Sequence, residues 1–311
     1  SDEEPGSWDD PEQEISTFID GSEFKYKEEY DAWGGWNGSE YEPYFWPSKG
    51  SLIFAGYSPY RYVGGRDIIE NVSFDVDNKE LVIDGFRTET YVPMSKRDIE
   101  DPDIEYKNQS QSDLAYFLPE YDLNGNYSGV GYREKYAPVM HHALSLVVFK
   151  VYAAEASDID YIDLNSIVLN NVYHEGRFRV KMDGTSKGQT HWDLTDGSPS
   201  NMNVFDAGTD KDGNPDGLIL DTDPRTVAEL LIIPGVTHDI TVNYRLHVND
   251  KIVLHTWNIS PTDIDLDPDP NSVDYLDEWK IGKKYVYNIC LSADFITVDP
   301  DVSVWSENIV N

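Results

Sequence analysis

Along the chain, short apolar runs rich in Val, Ile and aromatic residues are punctuated by Gly, Asp, Asn and Pro, and this pattern predicts mostly β structure. The cleanest run has Ile240, Val242, Tyr244, Leu246 and Val248 alternating with Asp239, Thr241, Asn243, Arg245 and His247, as in a half-buried strand. Asn249-Asp250 turns it into Ile252–Ile259; a loop of two residues or of three would choose different inward-facing side chains, and the pattern leaves both open. Ala143–Tyr152 is apolar on both parities, as a central sandwich strand requires. Further strands are predicted at Ser51–Ala55, Val72–Val76, Glu80–Ile83, Ile162–Leu169, Arg177–Val180 and Ala228–Ile233. Asp77-Asn78-Lys79 makes a tight turn, Glu175-Gly176 a bend, and Pro234-Gly235 a strand end. Arg97–Gln111, with Pro102, reads as a loop, and Gly184–Asp216 as a long polar excursion.

The stretch from Trp279 to Trp305 organises the rest. After Gly282, Tyr285, Tyr287, Ile289 and Leu291 lie on one parity and Val286 and Cys290 on the other, the two-sided pattern of a strand between layers. Beyond Asp294, Ile296, Val298, Val302 and Val304 share one parity, with Thr297, Asp299, Asp301 and Ser303 opposite. Such a tail must bury its apolar edge either on the chain's own sheet or in the open groove of a neighbouring subunit, and pattern alone does not choose.

A length of 311 residues allows two domains with separate cores. We place the boundary at Tyr136-Ala137-Pro138, giving a flexible acidic leader at 1–14, one β-sandwich at 15–138 and a second at 139–311 that ends in the extended strand. A formal charge of −34 repels phosphate backbones and anionic lipid faces, so nucleic acid is not an expected partner. The single cysteine, Cys290, lies within an apolar strand and reads as a small core residue. The first residues carry no signal-peptide pattern and no stretch reaches the apolar length of a membrane span, so the protein is either cytosolic or has lost an export signal.

Four features invite a chemical reading. Gly184-Thr185-Ser186-Lys187-Gly188 fits G-x-S-x-G, with His191 and Asp193 close by, but the sequence after Gly188 lacks the helix that a nucleophile elbow needs. Asp212, Asn214, Asp216 and Asp223 match the oxygen-ligand positions of a calcium loop opening D-x-N-x-D-G, without its flanking helices; an acidic turn is the preferred reading there, and a solvated loop for Asp263–Asp269. His141 and His142 are adjacent, so in a strand they point to opposite faces and do not share one ion. The aromatic cluster holding Trp33, Trp36 and Trp46 suits stacking on sugar rings, but reads first as packing of large rings. With no catalytic constellation left standing, the expectation is a non-enzyme without a cofactor.

Leu52-Ile53-Phe54-Ala55-Gly56-Tyr57-Ser58-Pro59-Tyr60, Ser112-Asp113-Leu114-Ala115, His142-Ala143-Leu144-Ser145, Leu230-Leu231-Ile232-Ile233-Pro234 and the closing Trp279, Gly282-Lys283-Lys284-Tyr285-Val286-Tyr287, Val302 and Trp305 occur in an order that resembles the fimbrillin-like proteins of Bacteroidales, subunits of type V pili. The resemblance covers nearly the whole chain from Leu52. It implies an all-β fold of two tandem transthyretin-like β-sandwiches, and export as a lipoprotein to the outer membrane and cell surface. It also implies assembly with other fimbrial subunits by strand exchange, after a protease removes an N-terminal strand. Ser1-Asp2-Glu3-Glu4 resembles the acidic residues just after a lipidated cysteine, which places the lipid anchor upstream of residue 1 and makes it the only tie to the membrane. A host or bacterial surface receptor is a further partner of an adhesin. One departure counts against processing and a stalk role: the family's stalk subunits are cut after an arginine near the N-terminus, whereas the first arginine here is Arg61. The competing class is a surface-tethered glycan-binding lipoprotein that uses Trp33, Trp36 and Trp46.

Overall fold

The computed structural model describes residues 23–27, 32–36, 40–42, 54–60, 62–63, 66–75, 78–88, 91–100, 111–119, 138–156, 158–182, 189–194, 198–210, 212–214, 216–236, 238–260, 278–305 and 308–309. The acidic leader, Trp46, the Gly184–Gly188 motif and the Asp263–Asp269 run contain or are made of residues outside these ranges. In chain order the elements are β1 (Glu23–Lys27), β2 (Ala32–Trp36), β3 (Tyr41–Glu42), β4 (Gly56–Ser58), β5 (Tyr62–Val63), β6 (Arg66–Asp67), β7 (Asn71–Asp75), β8 (Glu80–Arg87), α1 (Lys96–Glu100), β9 (Ala115–Phe117), β10 (Val139–His142), β11 (Ser145–Ala153) and β12 (Tyr161–Val172). They continue with β13 (Glu175–Lys181), β14 (Thr190–Asp193), β15 (Ser200–Asp206), β16 (Leu218–Ile219), β17 (Arg225–Ile232), β18 (Gly235–Val236), β19 (Ile240–Val248), β20 (Lys251–Ile259), β21 (Glu278–Trp279), β22 (Lys283–Leu291), β23 (Ile296–Val304) and β24 (Asn308–Ile309). The fold is all-β, as expected.

Two sheets enclose the larger core. One has the order β17-β11-β22-β23, and the other β15-β12-β19-β20 with β16 also on β12. Val147, Phe149 and Val151 of β11 and Tyr285, Tyr287, Ile289 and Leu291 of β22 face Ile162, Leu164, Ile167, Ile240, Val242 and Tyr244 across it. Complete burial of each such side chain contributes about 1.5–3 kcal/mol. The two-sided pattern of β11 also has its expected cause: Leu146 and Val148 on its other face pack with Val286 under Leu231 and Trp305. The turn left open in the sequence has two residues. Val248 pairs with Lys251, and Asn249 and Asp250 both take positive φ, 47° and 63°, the backbone of a type I′ hairpin.

The second core does not respect the division at Pro138. Its principal sheet runs β14-β13-β8-β7, so Glu80–Arg87 pairs with Glu175–Lys181 across the expected boundary, and β9 likewise pairs with β10. Ile83 and Phe86 bury together with Phe178, Val180, Trp192, Leu114 and Leu144. The physical reason is that the β7–β8 hairpin has an unpaired edge and one apolar face, and two strands alone cannot cover either. Composition along the chain marks a polar run before Pro138 but is blind to such long-range pairing.

Other departures are local. The loop expected from Arg97 onward begins as a short helix, Lys96–Glu100; Ser95 Oγ accepts from Asp98 N at 3.4 Å while Asp98 Oδ2 accepts from Ser95 N at 2.7 Å, a reciprocal cap. The polar excursion holds β14 and β15, whose Trp192, Met202, Val204 and Phe205 are buried among polar neighbours. Of the strand expected at Ser51–Ala55, residues 51–53 lie outside the described residues; the pairing described next to it is at Gly56–Ser58.

Candidate functional site: the C-terminal edge strand and its root

β22 is a fixed platform. Trp279 Nε1 donates to Tyr287 Oη at 2.9 Å, and Lys280 N donates to Tyr285 Oη at 2.8 Å. Burial pushes the Tyr285 phenol up to about 12 and the Tyr287 phenol higher still, so both stay neutral and serve as hydrogen-bonding core residues. The turn out of β22 is tied to the opposite sheet, because Tyr244 Oη donates to Ser292 O at 2.9 Å. Ser292 Oγ donates to Phe295 O at 2.8 Å and accepts from Phe295 N at 3.0 Å, which closes the turn.

β23 then returns antiparallel along the whole of β22, from Leu291 opposite Ile296 to Lys283 opposite Val304. The structure therefore puts the tail on the chain's own sheet, as its outermost strand. The parity is as expected: Ile296, Val298 and Val302 are half-buried against the larger core, whereas Val304 is 69% exposed. Pro300, opposite Tyr287, is admitted because β23 is an edge strand and a proline gives its ladder no donor.

At its end the tail crosses to the other core. Trp305 N donates to Gly282 O at 3.0 Å, and the indole stacks on His142 with centroids 3.5 Å apart and planes 5° apart. His142 is buried, and its Nδ1 lies 2.6 Å from Asp113 Oδ2. β24 then pairs with Val139 and Met140 of β10. Around this root Ala143 N donates to Leu114 O at 2.7 Å, Gly282 N to Leu144 O at 3.0 Å, and Ser145 Oγ to Lys280 O at 2.9 Å. Gln111 pairs through its amide with both backbone groups of Leu231, at 3.0 and 2.8 Å. The separate sequence motifs at 112–115, 142–145, 230–234 and 279–287 thus converge on the root of the tail. Sequence reasoning did not find the Asp113–His142–Trp305 arrangement. Its only signal was that Asp113, His142 and Trp305 are all among the residues that carry the family resemblance.

The other candidates fare differently. Asp210 closes the Asp212–Asp216 loop: its Oδ1 accepts from Asn214 N at 2.9 Å and Asp212 N at 2.8 Å, and its Oδ2 from the Asn214 amide at 3.2 Å. The bonds from Asn214 foremost hold the Asp210 carboxyl below the ordinary carboxylate range. Asp216 is taken by Lys96 Nζ at 2.8 Å, and Asp223 lies exposed on the turn before β17. Among the described residues no three His, Cys, Asp or Glu side chains converge as metal ligands. Trp33 and Trp36 lie in β2, which pairs with β1 and β3; Trp46 lies outside the described residues. Among those residues no helix is long and apolar enough to cross a membrane.

The fimbrillin-like family model matches residues 7–305. A crystal structure of a fimbrial protein from Bacteroides vulgatus superposes with a TM-score of 0.61 at 15% identity, covering 93% of this chain and 86% of that one. A protein from Bacteroides uniformis, described provisionally as a cell adhesion protein, gives a TM-score of 0.41 at 17% identity over 82% of this chain and 73% of that one. Comparison with curated proteins returns no match. With the match spanning almost the whole chain, the chain belongs to the fimbrillin-like family.

Proposed function

We propose that this protein is a non-enzymatic fimbrial subunit or fimbrillin-like adhesin of the cell surface, joined to its neighbours through the C-terminal strand β23. The observation that carries the reading is the placement of β23: a nine-residue strand of alternating burial, held by a single ladder at the margin of its sheet, with Val304 already exposed. An edge strand is the one kind of strand that can leave a sheet without opening it. In a neighbouring subunit's groove Ile296, Val298, Val302 and Val304 would complete their burial, each contributing up to about 1.5–3 kcal/mol in addition to a new ladder. Pro300 would leave one ladder position without a donor, which fixes the register of such a joint.

Export as a lipoprotein to the outer membrane belongs to the same reading and rests on family membership. The test is to shear appendages from cells that make the chain and compare heated with unheated samples by electrophoresis. The expected result is a ladder of high-mass species that collapses to monomer on heating. A protein found only as monomer, or only inside the cell, overturns the proposal.

A further inference from the structure

β20 forms the opposite margin of the larger sandwich, and it is unusual for an exposed strand in so acidic a chain. Its nine residues, KIVLHTWNI, contain no carboxylate and no proline, although the chain has 58 Asp and Glu. Ile252, Val253, Leu254 and Trp257 are 58%, 45%, 77% and 36% exposed. Among the described residues β20 pairs with β19 alone. Soluble proteins blunt such edges with lysine, proline or bulges, and here only Lys251 at the turn does so.

We propose that this edge binds a second copy of the same chain, β20 against β20, in an antiparallel two-fold pairing. The strand is its own complement. In a sheet that continues through a two-fold axis, paired residues lie on the same face, so the axis passes through a residue and not between two. Only the axis through His255, the middle residue, pairs the whole strand. That register sets Val253 opposite Trp257 of the second copy, and does so twice, an apolar–aromatic pair of the kind that stabilises sheets. It also agrees with the hydrogen bonding. Because Val248 and Lys251 flank a two-residue turn, Lys251, Val253, His255 and Trp257 direct their backbone groups to β19, which leaves those of Ile252, Leu254, Thr256 and Asn258 for the free edge. In the His255 register these pair with one another, Ile252 with Asn258 and Leu254 with Thr256. A single strand edge buries an area at or below the roughly 1,000 Å² of a lasting interface, so the dimer is reversible. The contact is lateral and independent of β23.

Sedimentation velocity of the full chain over a concentration series, at low and high salt, tests this. The expected result is a monomer–dimer equilibrium whose dimer fraction rises with concentration and also with salt, since salt screens the repulsion between two highly negative chains. Val253→Lys with Leu254→Lys weakens the dimer by about tenfold or more while the melting temperature stays within a few degrees, since both side chains are already in water. Val304→Asp dimerises like the wild type, which separates this contact from the proposed strand donation. Under mild oxidation His255→Cys gives a covalent dimer and Ile252→Cys does not; the native Cys290 is buried. A chain that stays monomeric throughout, a dimer that the double lysine variant leaves unchanged, or equal cross-linking at residues 252 and 255 overturns the proposal.

Discussion

His238 sits between β18 and β19 with its ring against Trp279, at a centroid distance of 5.3 Å. Burial pushes its imidazole down to about 4 against the opposing pull of Asp239, and burial lowers His174 as well. The unfolded chain therefore takes up a proton below about 6.5 that the folded chain refuses until about 4, so this contribution to stability is intact at neutral pH and is lost as the pH falls through that window. The loss reaches up to about 3 kcal/mol, less the share that solvent screens. His238→Gln should flatten the melting temperature of the protein between pH 6.5 and 4 relative to the wild type; parallel curves would contradict the assignment. Asp163 makes a second residue-scale case. It is buried and accepts from Arg245 Nε and Nη2, both at 2.7 Å, and lies 2.8 Å from His247 Nε2, while Gly217 leaves the room that its carboxylate occupies. Asp163→Ala removes the carboxylate that holds the guanidinium at two nitrogens and should cost about 3–5 kcal/mol in denaturant unfolding, more than Leu146→Ala on the other sheet's outer face. Neither group was legible in the sequence: their burial depends on strands far apart in the chain. The D-x-N-x-D-G match was legible but led to a closed Asx-type turn on Asp210, and calcium is expected to leave the melting temperature unmoved.

At the scale of elements, β11, β19 and β22 could be read from the sequence because each is buried on one or two faces and the alternation records it directly. β14 and β15 could not, since Trp192 stands among polar residues and Met202, Val204 and Phe205 make only a short apolar run within a polar stretch, and they gain their burial beside strands β13 and β12. The tail was legible in parity but not in partner. Its structure now grades its residues: Val298→Asp places a charge against the core and should lower monomer stability by about 1–3 kcal/mol, whereas Val304→Asp should change it by less than about 0.5 kcal/mol. Thermal melts of the two variants check this, and equal effects would mean that β23 does not lie as described. Trp305→Ala should act like Val298→Asp in lowering stability, because it uncovers His142 and the outer face of β11.

At the scale of the whole molecule, the described residues build two main cores, and the second draws on both halves of the chain, with β8 joined to β13. A fragment spanning 139–311 should therefore fold poorly, exposing Phe178, Val180 and Trp192 and aggregating through the free edge of β13; a soluble, cooperatively melting fragment would contradict this. The all-β class followed from local pattern, but the partition did not, because a boundary is a property of pairings, whereas the shift at Pro138 is one of composition alone. The joint where the family motifs meet, the root of the tail at Asp113, His142 and Trp305, links the two cores. Under the strand donation proposed above, the tail would therefore connect a neighbouring subunit to both cores. The most direct test is polymer formation by Val304→Asp, scored on the cell surface beside the melting temperature of the purified monomer. Strand donation through β23 predicts fibres lost with the monomer melt within about 2 °C of the wild type; fibres that form as in the wild type would contradict it.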